Sequence, residues 1–273
     1  MRSLDPAPAR LPALDGLRGL LAVVVALWHA TSPLHVNVFA IPAKFAVCGF
    51  FIISGLVLAR AWDERPLAFL AQRAVRLWPT YALCLAAGYA FAGLAPHWRQ
   101  FLFFPLLAPD AEPHIDPPIW SLIVEAWAMP LMPLIVWAAR ERRRAAFCFV
   151  VVTLIGLWLP DRGVQQLFLA LGYFIAGAYL CRCNPRAGWL ESAPMQWLGK
   201  ISYSFYLSHW LVFAAAERLF GPVAALCALP LAFAVGYAVW AMVERPSVLA
   251  SRRVKAWFAQ SRVVAPSPSR AAS

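Results

Sequence analysis

Leu14-Asp15-Gly16-Leu17-Arg18-Gly19-Leu20-Leu21-Ala22-Val23-Val24-Val25-Ala26-Leu27-Trp28-His29-Ala30-Thr31-Ser32 is the stretch whose reading decides the architecture. It is near the length of an apolar helix that crosses a bilayer, about 20 residues, yet it carries Asp15, Arg18 and His29. A charge at the centre of such a segment costs about 2.5–3.5 kcal/mol on insertion scales, and those that persist face other protein or a water-filled cavity. The run therefore reads as a span whose polar side faces a protein interior. The same criterion applied outward marks seven further spans, 40–59, 77–95, 119–139, 145–160, 164–181, 199–218 and 222–243. Asp15 and Arg18 interrupt the first run too early for a cleaved signal sequence.

Composition agrees. The chain has 273 residues, 62% hydrophobic and 14% charged, against roughly 45–50% and about 25% in ordinary globular proteins. That excess excludes a disordered chain, and six cysteines are too sparse for a disulfide scaffold. No Cys-x-x-Cys pair occurs, so the thiols read as free and no metal site is expected. The net charge of +11 would suit nucleic acid on a soluble basic domain, but here the charges cluster between apolar blocks, and no nucleic-acid partner is expected.

Those charges also give a direction. With the N-terminus in the cytoplasm, 20 of the 24 Lys and Arg residues fall on the cytoplasmic side, leaving Lys44, Arg99, Arg162 and Arg218 outside; this is the positive-inside bias. The expectation is an all-α polytopic transmembrane bundle of about eight spans. Residues 1–246 form the membrane domain, and 247–273 a basic, Ser/Pro/Ala-rich cytoplasmic tail, disordered at its end. The outer loop from Pro96 to Pro118 is expected to lie at the interface or fold back into it. No internal repeat is present, which weakens an inverted-repeat transporter.

The ionisable residues inside spans carry the chemistry. Arg18 and His29 are eleven positions apart; eleven steps of ~100° end about 20° from a whole number of turns, with a rise of roughly 16 Å. The two side chains therefore share one face. Asp15, one turn before Arg18, can also neutralise it. Glu125 lies in the fourth span with Ser121 one turn earlier on its face. His209 sits mid-helix and reads first as a structural hydrogen-bonding histidine between helices. Arg73 and Arg76 share a face at the inner mouth of the third span, where two guanidinium forks beside a helix N-terminus suit phosphate groups. The ordinary excess of inside charge accounts for them as well. Gly49-Phe50-Phe51-Ile52-Ile53-Ser54-Gly55 offers small residues for close helix contact.

Together these segments resemble the acyltransferase 3 family of integral membrane acyltransferases. Leu14-Asp15-Gly16-Leu17-Arg18-Gly19, with His29 after ten residues, is similar to the family's opening helix. Gly49 to Leu56 resembles its second-helix motif, and Arg73-Ala74-Val75-Arg76-Leu77-Trp78-Pro79 its arginine pair. Trp120-Ser121-Leu122-Ile123-Val124-Glu125 resembles a further element. Leu198-Gly199-Lys200-Ile201-Ser202-Tyr203-Ser204-Phe205-Tyr206-Leu207-Ser208-His209-Trp210 and Glu244-Arg245-Pro246 resemble the last two. Three features depart from the pattern. Members commonly have more spans, Cys48 stands where an acidic residue is often found, and Ala126-Trp127-Ala128 replaces bulky aromatics. The chain looks like the stand-alone form, without an appended extracytoplasmic hydrolase-like domain.

The resemblance implies transfer of an acyl group, acetyl by default, from acyl-CoA to a hydroxyl of a carbohydrate, glycolipid or lipid-linked glycan, with no permanently bound cofactor. His29 and Glu125 are then the catalytic candidates. Arg18, Arg73, Arg76, Ser54, Ser121, Tyr203 and His209 are the substrate-binding candidates. A transporter or flippase without covalent chemistry, and an inactive partner that scaffolds a polysaccharide assembly, are the other two readings.

Overall fold

A computed structural model of the chain describes residues 11–96, 98–102, 117–183 and 185–260. Every long element among them is an α-helix: α1 (Pro12–Thr31), α2 (Ala40–Ala61), α3 (Pro66–Ala92), α4 (Trp98–Phe101), α5 (Ile119–Ala128), α6 (Met132–Ala139), α7 (Arg142–Trp158), α8 (Arg162–Tyr179), α9 (Ala193–Phe220), α10 (Pro222–Cys227), α11 (Leu229–Val239) and α12 (Arg245–Gln260). Proline in the first turn opens α1, α3, α9, α10 and α11, where its missing N–H costs nothing and its fixed φ suits the helix. Asp161 caps α8 by accepting from the Val164 N–H at 2.7 Å, satisfying one of the donors a helix start leaves open.

The all-α expectation holds. Four helical segments are long and apolar enough to cross a membrane: Pro12–Leu34, Ala40–Ala61, Ile119–Ala139 and Arg162–Arg182. The others fall short for definable reasons. α7 has 17 residues, and the stretch after Gly221 is divided at Ala228 and again by a wide π turn, Trp240–Glu244. α3 and α9 are long enough, with 27 and 28 residues, but each carries polar and charged side chains.

α3 also corrects the sequence reading. It begins at Pro66, not near Leu77, because counting apolar residues stops at Arg76 while the backbone signal, a proline in the first turn, lies further back. Arg73 and Arg76 therefore stand two and three turns into the helix. The N-terminal dipole fades beyond the first turn, so the helix-end contribution expected at these arginines is lost. The start of the loop after α3 packs on that helix: Trp78 Nε1 donates to the Phe101 carbonyl at 3.0 Å, and Tyr81 Oη to that of Gln100 at 2.6 Å. Residues 103–116 of that loop lie outside the described residues. At the C-terminal side, α12 runs through the expected boundary at 246 and is tied to the start of α3, with Arg65 Nη1 donating to the Phe258 carbonyl at 3.5 Å. Residues 261–273 of the tail lie outside the described residues.

Two helix crossings frame the site. α1 lies along α9, and α2 along α8. Each depends on glycine, because the backbones approach too closely for a Cβ. At Gly19 a Cβ would meet Leu198 and the Gly199 backbone; at Gly55 it would collide with the Phe174 carbonyl, and at Gly177 with that of Ile52. The signature glycines of the first two motifs are therefore packing residues, which let helices from distant parts of the chain meet. α7 covers α8 on the outside, α10 and α11 cover α9, and α12 lies against α3. Tyr81, Tyr89, Phe174, Phe205 and Phe213 fill the interior, each essentially sealed from solvent.

Candidate active site

Three adjoining cavities occupy the space between α1, α2, α3, α5, α8 and α9. The arginine chamber is lined by Arg18 from α1, Arg73 and Arg76 from α3, Ser54 from α2, Glu125 from α5 and Tyr203 from α9. The middle chamber shares Arg18, Ser54, Glu125 and Tyr203 with it and adds Phe50, Phe51, Ser121, Ser202 and Tyr206. The histidine chamber, about 420 Å³, shares Phe51 and Tyr206 with the middle one and adds His29, Trp28, Trp120, Tyr173, Gln166 and Lys44. Shared wall residues make the three consecutive, with the arginines at one end and the imidazole at the other. The face shared by Arg18 and His29 on α1 is the wall that runs the length of the series.

The arginine end concentrates charge in little solvent. Arg73 is only 8% exposed. The charges of Arg18, Arg76 and Glu125 all act on it, and those of Arg18, Glu244 and Glu125 act on Arg76. Two carboxylates thus flank three guanidinium groups and offset part of the repulsion among them. Ser54 Oγ donates to Glu125 Oε2 at 3.2 Å. Tyr203 Oη donates to the Leu77 carbonyl at 2.8 Å, tying α9 to α3 beside the arginines.

Between the middle and histidine chambers lies an aromatic neck. Phe50 and Tyr206 meet edge-on with ring centroids 5.3 Å apart. The Tyr206 and Ser121 hydroxyls are 2.9 Å apart, and Ser121 Oγ also donates to the Pro118 carbonyl at 3.1 Å. Beyond the neck, the His29 ring packs against His209 at 5.3 Å between centroids. His209 is fully buried and held at 3.1 Å from the Phe205 carbonyl through Nδ1. A carbonyl only accepts, so Nδ1 carries the proton and Nε2 is an acceptor. Nε2 is buried and has no hydrogen-bond partner among the described residues.

The structure brings eight of the nine sequence-selected residues to the walls of these chambers. The ninth, His209, lines none of the three and reaches the site through its ring contact with His29. Glu125 and His29 line different chambers, and Glu125 lies on the walls shared with the arginines. Two participants carried no role in the sequence. Glu244 accepts from Ser204 Oγ at 2.6 Å and from the Ser204 N–H at 3.2 Å; it ends the π turn Trp240–Glu244 and is buried. Tyr206 was part of a quoted motif, but its place in the neck follows from tertiary packing. Among the described residues no three His, Cys, Asp or Glu side chains group as a metal site.

The fold and site define an integral membrane helical protein in which a chamber lined by three arginines adjoins, through a middle chamber, one lined by an imidazole. A family profile described as an acyltransferase domain matches residues 11–183, more than half of the chain, and the protein belongs to the acyltransferase 3 family. That match covers every chamber residue from Arg18 to Glu125 and ends before Tyr203, His209 and Glu244. The chain is also similar to the protein named "Protein 2 in picA locus" of Rhizobium radiobacter, 37% identical over 93 residues. The aligned stretch is 31% of this chain and 47% of that protein, so the chain spans about half the length of the curated relative it matches. No solved structure matches.

Proposed function

We propose that this protein is a membrane O-acyltransferase that moves an acyl group from acyl-CoA to a hydroxyl of a carbohydrate, glycolipid or lipid-linked glycan. The observation that carries the reading is the succession of three adjoining chambers that share wall residues, from three guanidinium groups at one end to His29 at the other. CoA is anionic at its nucleotide end and narrow along its pantetheine arm. Arg73 and Arg76 bind the phosphates, and Arg18 lines the passage that takes the arm towards the thioester. The lane suits a donor on one side of the membrane and an acceptor on the other. We infer eight crossings with a cytoplasmic N-terminus, which the charge asymmetry supports.

The chemistry follows from the imidazole. His29 takes the proton from the acceptor hydroxyl as the oxygen attacks the thioester carbonyl. The tetrahedral intermediate collapses with cleavage of the C–S bond, and the departing thiolate recovers the proton from the imidazolium. The products are an ester and free CoA. Burial of both reactants in adjoining chambers supplies orientation, often the largest part of the acceleration in such bimolecular reactions. His209, fixed by Phe205 with its Nε2 lone pair free, positions His29 by accepting from its ring N–H as the two rings adjust. Acetyl is the acyl group we favour.

The test is acyl transfer by the purified protein in liposomes. With labelled acyl-CoA enclosed and a glycan outside, the labelled acyl group should appear on the glycan by mass spectrometry, and His29→Ala should abolish it with the protein still folded in the membrane. Transport of unmodified glycan without transfer would favour a flippase, and normal product from His29→Ala would remove the general-base role.

A further inference from the structure

The histidine chamber has a wall unlike that of the arginine end. Trp28, Trp120, Phe149 and Tyr173 line it together with Thr153 and Gln166. At about 420 Å³ it falls within the ~300–1,000 Å³ range of small-molecule sites. Apart from His29, Lys44 is the single charged side chain on this wall. It stands just past the first turn of α2, which begins at Ala40. It is exposed and has no carboxylate within ion-pair distance among the described residues.

A wholly apolar occupant would make no use of the polar ends of Lys44, Gln166 and Thr153 on this wall. A cationic occupant would meet like charge. A sugar matches the rest: its C–H face packs on aromatic rings while its hydroxyls reach amide and hydroxyl groups. Resting on the acyltransferase reading above, we infer that the histidine chamber takes an acceptor sugar bearing an anionic substituent, a carboxylate or a phosphate, that pairs with Lys44 Nζ while the ring lies among the chamber's aromatics beside His29.

Binding tests this without any acyl donor. The protein in nanodiscs is titrated calorimetrically with a glucuronic acid trimer, with its carboxyl-reduced glucose counterpart, and with that glucose trimer carrying a 6-phosphate. An anionic trimer should bind about fivefold more tightly than the neutral one, the scale of one exposed ion pair. The preference should shrink as salt is raised, disappear in Lys44→Gln and persist in Lys44→Arg. Which anionic trimer leads distinguishes carboxylate from phosphate. Equal binding of all three, no binding of either anionic trimer, or a preference unchanged in Lys44→Gln would overturn the inference. Charge preference without acyl transfer would instead overturn the enzymatic reading alone.

Discussion

The imidazole rings of His29 and His209 lie 5.3 Å apart between centroids and tilted by 46°, one from the first helix and the other from the ninth. They do different work. His29 faces a chamber, while His209 is sealed in and anchored to its own helix through Nδ1. A buried acceptor without a partner is costly, and a neighbouring imidazole able to donate relieves that cost. His209→Leu should therefore lower kcat by about ten- to a hundredfold, part of the 10²–10⁴ available from acid–base catalysis, with the KM for acyl-CoA little changed. His209→Gln, whose amide oxygen can accept in place of Nε2, should recover part of the loss. Steady-state kinetics on both variants checks this; equal losses in Leu and Gln would point to packing alone.

The three arginines predict donor binding. Arg73→Ala and Arg76→Ala should each weaken acyl-CoA binding by tenfold or more, since a hydrogen bond to a charged group contributes about 1.5–3 kcal/mol. Arg73 is the more deeply buried of the two, so its removal also leaves Glu125 with less opposite charge. Pairing it with Glu125→Gln should restore membrane protein level without restoring donor affinity. Equilibrium binding of labelled acyl-CoA provides the measurement, and unchanged affinity in both single variants would remove the phosphate clamp.

How far the sequence carried depends on the kind of information. Arg18 and His29 sharing one face was legible because helix periodicity is local and eleven residues return to the same side. The arginine pair was legible for the same reason, but its distance from the helix start was not, since apolar counting misplaced the beginning of α3. Glu244 was legible only as part of a quoted motif: its burial beside Ser204 depends on the π turn and α9 meeting, which sequence position alone does not disclose. His209 could be recognised as buried. Its lack of direct access to the chambers depends on α1 and α9 meeting, which no single helix encodes.

Ser54 marks the join between the arginine and middle chambers and donates to Glu125. Ser54→Leu should fill that join. Acyl-CoA would still bind through its phosphates, but transfer should fall by a hundredfold or more because the thioester no longer reaches the acceptor, on the scale of losing correct positioning. Ser54→Ala removes the hydrogen bond without filling the space and should cost far less. Transfer assays alongside donor-binding measurements separate the two effects; a Leu variant as active as the Ala variant would show that the donor does not pass this way.

The last prediction concerns the glycine contacts that hold the chambers together. Gly177 meets Ile52 and Leu56 where α8 crosses α2, and a Cβ would strike backbone that no rotamer change can move aside. Gly177→Ala must therefore push the helices apart, at a cost of about 1–3 kcal/mol or more for an overpacked contact. The displaced α2 carries Ser54, Phe50 and Phe51, so the middle chamber and the neck should lose their register together. Thermal unfolding in detergent should begin at lower temperature, and transfer should fall even where the protein remains folded. Gly188→Ala, where a Cβ meets nothing within 4 Å, serves as the control and should leave both measurements close to those of the parent. Equal behaviour of the two variants would mean that α2 and α8 tolerate a wider spacing than the crossing implies.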